Sequence, residues 1–456
     1  MTSVSGSSPV ISRSNQARRP AARVRSIVGL IGTALRCTRV SSLHQPARTA
    51  GGAARLQKRI RTGSKRSTIA LMPARSDVWP LRIVYGVTGE GMGHATRSRV
   101  IIEHLLNRGH HVRVVVSGRA HAFLTERLKQ SPELSIHEIS GLTLTYVDNR
   151  VDRSRSLLRN LKHAPKGVRA NLKVYRRVAE SNFAPHAVFS DFESWAALYA
   201  TNHFLPVVSI DNMQVINRCH HESALLGGGS FDQRLAKLAV MAKIPGAFHY
   251  LVTSFFFPPV SKKRTTLVPP ILRPEILAAK REPGNHILVY QTSDTNHELV
   301  ERLKQMPYEF RFYGMRRDEN LGNVLLKNFS EQAFVDDLRT ARAVIAGGGF
   351  TLMSEAVTLG VPMLSIPVER QFEQVLNARY LDKLGYGKIA ETLDSATISA
   401  FLANLSSYAK NLESYPRQDN SMMLGCVDEL VERIAHGKKR PARLKSPNMG
   451  HWEGEE

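Results

Sequence analysis

The sequence predicts an α/β chain of two doubly wound, Rossmann-like domains in series, on three observations. Strand and helix patterns alternate over residues 81–210 and again over 286–384. A proline-rich passage separates the two runs. Each run also carries a glycine cluster directly after a strand, where a parallel sheet holds ligands.

Residues 81–87 read as a buried strand, followed by a glycine-rich turn over 89–93 and a helix over 95–108 that Gly109 ends. A strand over 111–117, a helix over 120–130 and a strand over 135–139 repeat the pattern. Residues 151–179 form a basic helical segment carrying Arg155, Arg159, Lys162, Lys166, Arg169, Lys173, Arg176 and Arg177. Strands return at 187–190 and 207–210, with 195–203 as the crossover helix. Phe255, Phe256 and Phe257 lead into Pro258, Pro259, Pro269, Pro270 and Pro274, the candidate linker. The second run reads as strand 286–290, helix 297–305, strands 311–313 and 324–326, helix 332–340, strand 343–346, helix 351–359, strand 363–366 and helix 372–384. A closing helix over 427–435 precedes a loose tail from Lys438. The expected division is a basic extension over 1–78, a first domain over 79–257, a linker over 258–284, a second domain over 285–436 and a tail over 437–456.

The chain has 456 residues, 42% apolar and 22% charged, enough for two domains that each bury a core. Its net charge of +24 is uneven: residues 1–75 hold fifteen Lys and Arg and no Asp or Glu. Such a stretch cannot bury enough apolar surface to fold alone. Two readings of it compete. It is a targeting or nucleic-acid-binding arm, or an upstream extension with the working start at Met72, the reading favoured here. Its apolar run over 27–35 is too short to span a bilayer, and a secretory segment there stays open. Cys37, Cys219 and Cys426 form no CxxC pair, which argues against a zinc site or a disulfide framework and points to a reducing, cytoplasmic compartment. No stretch reaches the length of a membrane span, so any membrane contact is expected to be peripheral, at the inner face.

The first cluster is Gly89, Glu90, Gly91, Met92, Gly93 and His94. It starts like a dinucleotide fingerprint, but His94 stands where the third glycine belongs, and the second strand ends in Ser117, Gly118 and Arg119 without a carboxylate for a ribose. An ordinary NAD site is disfavoured. An imidazole at this place suits removing a proton from a hydroxyl, although a histidine at a helix start is also often structural. The second cluster runs Gly347, Gly348, Gly349, Phe350, Thr351 to Glu355, a strand, three glycines and a helix N-terminus that together make a diphosphate cradle. Glu355, one turn into that helix, can accept both hydroxyls of a ribose or simply complement the helix dipole. Glu373 and Gln374 open the next helix, with Asn377 after them, and offer acceptor and donor groups to vicinal sugar hydroxyls.

The stretch 347–380, with Glu373-Gln374-Val375-Leu376-Asn377-Ala378, resembles the donor-binding region of GT-B-fold glycosyltransferases. It is similar to the plant and animal nucleotide-sugar glycosyltransferases and to the lipid-II N-acetylglucosaminyltransferase. Ser190-Asp191-Phe192-Glu193, Ser209-Ile210-Asp211-Asn212 and the run from Gly91 to Arg97 look closest to a less characterised microbial branch. The similarity covers about residues 81–387. It implies two domains facing each other across a cleft, Glu355 on the donor ribose, Gly348, Gly349 and Thr351 at the diphosphate, Glu373 and Gln374 on the donor sugar, and His94 as the base or beside it. Asp191 is then the candidate to orient the imidazole, the alternative being a polar cap after a strand. One departure is Gly347, where the family often has histidine or arginine, so phosphate charge is left to backbone amides or to Thr292 and Ser293.

The implied function is transfer of a hexosyl group from a nucleotide sugar, uridine-linked by family analogy, to a hydroxyl acceptor, with inversion and with no metal or other cofactor. Asp336-Asp337 falls inside a predicted helix and reads as an exposed face, not as a metal-binding aspartate pair. A nucleotide-sugar 2-epimerase of the same fold is the first alternative, and a nucleic-acid-binding protein acting through its basic arm the second; no specific nucleic acid is expected. The acceptor is expected on the first domain. The cations of 151–179, with Leu157, Leu158, Leu161, Val168, Leu172, Val174 and Phe255 to Phe257, suit a lipid-linked or anionic acceptor at a membrane surface, or equally a solvated helix packed on the sheet.

Overall fold

The computed structural model describes residues 79–444 apart from 90, 142–145, 148–149, 152, 180–181, 229, 292–296 and 369–370, and over 146–163 the backbone alone. Residues 1–78 with Cys37 and Met72, residues 445–456, and the phosphate candidates Thr292 and Ser293 lie outside the described residues.

Strands β1 (Arg82–Val87), β2 (His111–Ser117) and β3 (Leu134–Ile139) alternate with helices Met92–Asn107 and Arg119–Arg127. A short antiparallel pair, β4 (Tyr146–Val147) and β5 (Arg150–Val151), leads into helix Arg153–Ala179. Then come β6 (Ala187–Asp191), helix Ser194–Asn202, β7 (Val207–Asp211), helix Phe231–Lys243, β8 (His249–Thr253) and β9 (Thr265–Val268). These build a parallel sheet in the order β3-β2-β1-β6-β7-β8-β9. The second sheet uses β10 (Ile287–Tyr290), β11 (Phe310–Tyr313), β12 (Glu319–Asn320), β13 (Val324–Lys327), β14 (Ala343–Ala346), β15 (Met363–Ser365) and β16 (Gly387–Ile389), in the order β12-β13-β11-β10-β14-β15-β16. It is parallel except for the β12 edge.

The apolar runs that mark these strands are buried on both faces, as a parallel sheet covered by helices requires. Every residue of β6, β7 and β8 is buried. Strand order reverses beside β1, which pairs with both β2 and β6, and beside β10, which pairs with both β11 and β14. A crevice opens beyond the carboxyl ends at each of these switch points.

Several expectations need correction, all where distant segments pack together. The passage expected as a linker, 258–284, contains β9, whose four residues are buried as the edge of the first sheet. The closing helix is longer than expected, Ser421–Ala435, and its Met422, Cys426, Val427 and Leu430 join the core of the first sheet with Ile83 and Val114. The tail from Lys438 continues that packing as far as Leu444, which is buried in the same core, while the Arg264 amide bonds the Ala442 carbonyl. Phe255 and Phe256 are core residues and offer nothing to a membrane; Phe256 stacks on Tyr380. In helix Arg153–Ala179, Val174 and Val178 pack on the sheet, while Val168, Leu172, Lys166, Arg169 and Lys173 are exposed. Arg155, Arg159, Lys162, Leu157, Leu158 and Leu161 have side chains outside the described residues. Asp337 is buried, against expectation: the Tyr313 hydroxyl, Arg311 and Lys327 converge on it, while Asp336 is half-buried. No helix among the described residues is long and apolar enough to cross a membrane.

Candidate functional site

β1 ends at Val87, and the chain reverses through Gly89 and Gly91, the latter at φ 85°, into helix Met92–Asn107. His94 therefore sits in the first turn of a helix at the first switch point. Asp191, the last residue of β6, lies on the neighbouring strand, and its Oδ1 is 2.7 Å from His94 Nδ1. Asp191 is wholly buried, whereas the His94 side chain keeps 17% of its surface open, and its Nε2 makes no hydrogen bond to the described residues.

Helix periodicity puts Arg97, three residues on, over the same carboxylate. Its Nε and Nη2 donate to the two Asp191 oxygens at 2.7 and 2.5 Å, and Ser98 Oγ donates to Oδ2 at 3.0 Å. Burial pushes the Asp191 carboxyl up, but Arg97 and His94 outweigh it and hold it near 2. Burial and then the Arg97 cation bring His94 below its ordinary value, against the opposing pull of Asp191. The product is a neutral imidazole beside a fixed carboxylate. A carboxylate on an Nδ1 proton leaves the Nε2 lone pair free to take a proton from a hydroxyl.

The second switch point is built the same way. β14 ends at Ala346, the chain passes Gly347, Gly348 and Gly349, and helix Phe350–Thr358 starts with no side chain capping it. Its first amides are thus open to an anion. Gly348 is required by close approach: a Cβ there would lie 2.3 Å from the Gln374 carbonyl oxygen. At Gly93 the close neighbour is a side chain of the facing helix: a Cβ would lie 2.2 Å from Thr351 Oγ1. The two glycine turns therefore bring the starts of two helices, one from each sheet, against each other.

Glu373, on helix Phe372–Lys383, accepts through Oε1 from Asn377 Nδ2 and from Asn212 Nδ2, both at 2.7 Å. Asn377 is buried behind the cavity and also donates to the Gly348 carbonyl at 3.1 Å, so it braces the cradle and does not face a ligand. The Gln374 side-chain oxygen accepts from the amides of Gly348 and Val368, both at 3.1 Å, which ties the loops of β14 and β15 together instead of presenting a free amide. Glu355 is only 2% exposed. Arg273 Nη2 donates to its Oε2 at 2.8 Å, and Arg273 Nη1 reaches Glu331 at 3.2 Å. Burial raises the carboxyls of Glu355 and Glu373. His94, Asn212, Thr351, Glu355 and Glu373 all line one cavity of about 1060 Å³ between the two sheets, along with Gly91, Gly93 and Gly349. Among the described residues, no group of three or more His, Cys, Asp or Glu is placed to hold a metal.

The chain matches the family model described as glycosyl transferase family 1 over residues 81–406. The chain belongs to that family. As a glycosyltransferase it is similar to two archaeal proteins named uncharacterized glycosyltransferase. One, from Methanosarcina mazei, is 25% identical over 68% of this chain and 85% of the relative. The other, from Methanosarcina acetivorans, is 24% identical over the same shares. Among solved structures it resembles the kitacinnamycin glycosyltransferase at TM-score 0.56 and 19% identity, over 78% of this chain and 99% of that one. It also resembles a Polygonum tinctorium UDP-glucosyltransferase at TM-score 0.56 and 14% identity, over 79% and 100%. The fold is the two-domain GT-B architecture.

Arg97 and Asn212 stand in motifs that the sequence singles out but without a site role, and Arg273 is not singled out; all three line this glycosyltransferase's cleft. Arg97 was legible in principle, one turn beyond His94 on a helix, and Asn212 directly follows β7, next to the strand that carries Asp191. Arg273 has no local signal.

Proposed function

We propose that this glycosyltransferase transfers a hexosyl group from a uridine-linked nucleotide sugar to a hydroxyl acceptor by single displacement, with inversion and without a metal. The observation that carries the reading is the meeting, in one cavity, of the His94–Asp191 pair with the uncapped start of helix Phe350–Thr358. In the proposed step the acceptor oxygen attacks the anomeric carbon and its proton passes to His94 Nε2. The bond from that carbon to the diphosphate oxygen breaks, and the electron pair leaves with the diphosphate. Helix amides near Gly349 and Thr351 meet the charge on the leaving group. Asp191, already ionised, stabilises the imidazolium.

Glu355 Oε1 makes no hydrogen bond to the described residues and is assigned to the ribose; the second oxygen of Glu373 is assigned to the sugar. Gln374 and Asn377 are assigned to holding the cradle in shape. The uridine preference is supported by the likeness to the Polygonum UDP-glucosyltransferase.

The test is incubation with a panel of UDP-hexoses and hydroxyl acceptors. UDP should be released only when an acceptor is present, and the activity should survive a chelator. Interconversion of the donor alone would identify an epimerase instead. Activity lost to chelation and restored by a divalent ion would put a metal into the step.

A further inference from the structure

A chain of hydrogen bonds, buried at its Arg97 end and part-buried at Glu373, runs between the two halves of the site, and proton abstraction alone does not require it. Arg97 is 3% exposed and Asn212 is 4% exposed. Beyond its two bonds to Asp191, Arg97 donates from Nη1 to Asn212 Oδ1 at 2.7 Å. Asn212 then donates from Nδ2 to Glu373 Oε1. A guanidinium can only donate, and Glu373 Oε1 already accepts from Asn377, so an amide between them is held in one orientation by both ends. Asn212 follows a strand of the first sheet and Glu373 opens a helix of the second, which makes this a hydrogen-bonded crossing of the cleft.

We infer that Arg97 and Asn212 are positioning residues that join the His94–Asp191 pair to Glu373, so that the base and the donor-side carboxylate are oriented by one continuous network. The inference rests on the reading of His94 as base and Glu373 as a donor-sugar contact.

Two physical features favour it. The planar fork of arginine can hold both oxygens of a carboxylate and still direct a third N–H elsewhere, which a lysine ammonium at the same place cannot do. The cation also cancels the Asp191 charge beside the imidazole. An uncompensated carboxylate would hold a proton on His94 and remove the base. The other charged groups acting on His94 and Arg97 are Lys243 from helix Phe231–Lys243 and Asp211 at the end of β7, with the Tyr85 hydroxyl of β1 beneath them.

The experiment has two arms, neither of which needs an acceptor. In the first, NMR of histidine-labelled protein follows the His94 titration, assigned with His94→Gln. In Arg97→Gln it should move upward, because Asp191 is no longer compensated. In the second, calorimetry compares UDP with whichever UDP-hexose binds the wild type. Asn212→Leu should weaken the UDP-hexose by on the order of tenfold, the worth of a hydrogen bond to a charged group, while UDP alone binds as before. Should Arg97→Gln fail to fold, Arg97→Lys is read through the second arm with the same expectation. An unmoved His94 titration in folded protein, or equal losses for UDP and the UDP-hexose, would overturn the inference. Failure of every UDP-hexose to bind the wild type would overturn the donor reading instead.

Discussion

His94→Ala should lower turnover by roughly a hundredfold or more, the usual worth of a positioned general base, while nucleotide binding stays nearly intact. The separation follows from position, because His94 belongs to the first sheet and the groups assigned to the nucleotide belong to the second. The chief competitor for the role is Glu193, which also lines the cavity and whose carboxyl burial raises to about 7. Its Oε2 is committed, however, to the Ala196 amide at 2.8 Å as the cap of helix Ser194–Asn202. The pH dependence carries the same signature. Because burial and Arg97 lower the His94 pKa, the imidazole stays unprotonated as pH falls through its ordinary value of 6.5. The acidic limb of kcat/KM should therefore lie below that value, with activity lost only as pH passes the lowered pKa. A limb above 6.5, or normal turnover in His94→Ala, would move the base elsewhere.

Glu355→Ala should both weaken UDP binding and destabilise the fold. Sequence alone predicts only the first, since the start of a helix at a cradle reads as a surface facing the ribose. The structure adds the second, because the carboxylate is buried and shares Arg273 with Glu331. Removing one partner of a buried pair costs about 3–5 kcal/mol, and the remaining Glu331 should keep the loss near the lower end. Lost hydrogen bonds to the ribose should cost a further 1.5–3 kcal/mol of binding, roughly tenfold to a hundredfold in affinity. Glu355→Gln separates the effects, keeping the shape while losing the charge. Urea unfolding and calorimetry with UDP read the two quantities, and wild-type UDP affinity in Glu355→Gln would remove the residue from the ribose.

How far the sequence reached depended on the range of the interaction. Strands such as Arg82–Val87 and His111–Ser117 announce themselves because a strand covered on both faces must be apolar along its length. The glycine turns were legible for a similar reason, since their chemistry is local. What failed was long-range. Nothing near Thr265–Val268 says that it closes the edge of a sheet, and nothing near Met422 or Leu444 says that the chain returns to the first core. The pairing of His94 with Asp191, 97 residues apart, was available only through family resemblance. Asn377 and Gln374 were placed on the donor sugar by their motif, but whether they face a ligand or brace the wall depends on which carbonyl and amides they meet.

In the proposed arrangement the nucleotide is held at the second switch point while the base waits on the first. Hydrogen exchange with and without saturating UDP tests it without an acceptor. Protection is expected in two places, the glycines 347–349 with the first turn of helix Phe350–Thr358, and the start of helix Phe372–Lys383, with no comparable protection in β2 or β3. Protection confined to the turn around Gly91 and Gly93, with the 347–355 segment unchanged, would contradict it.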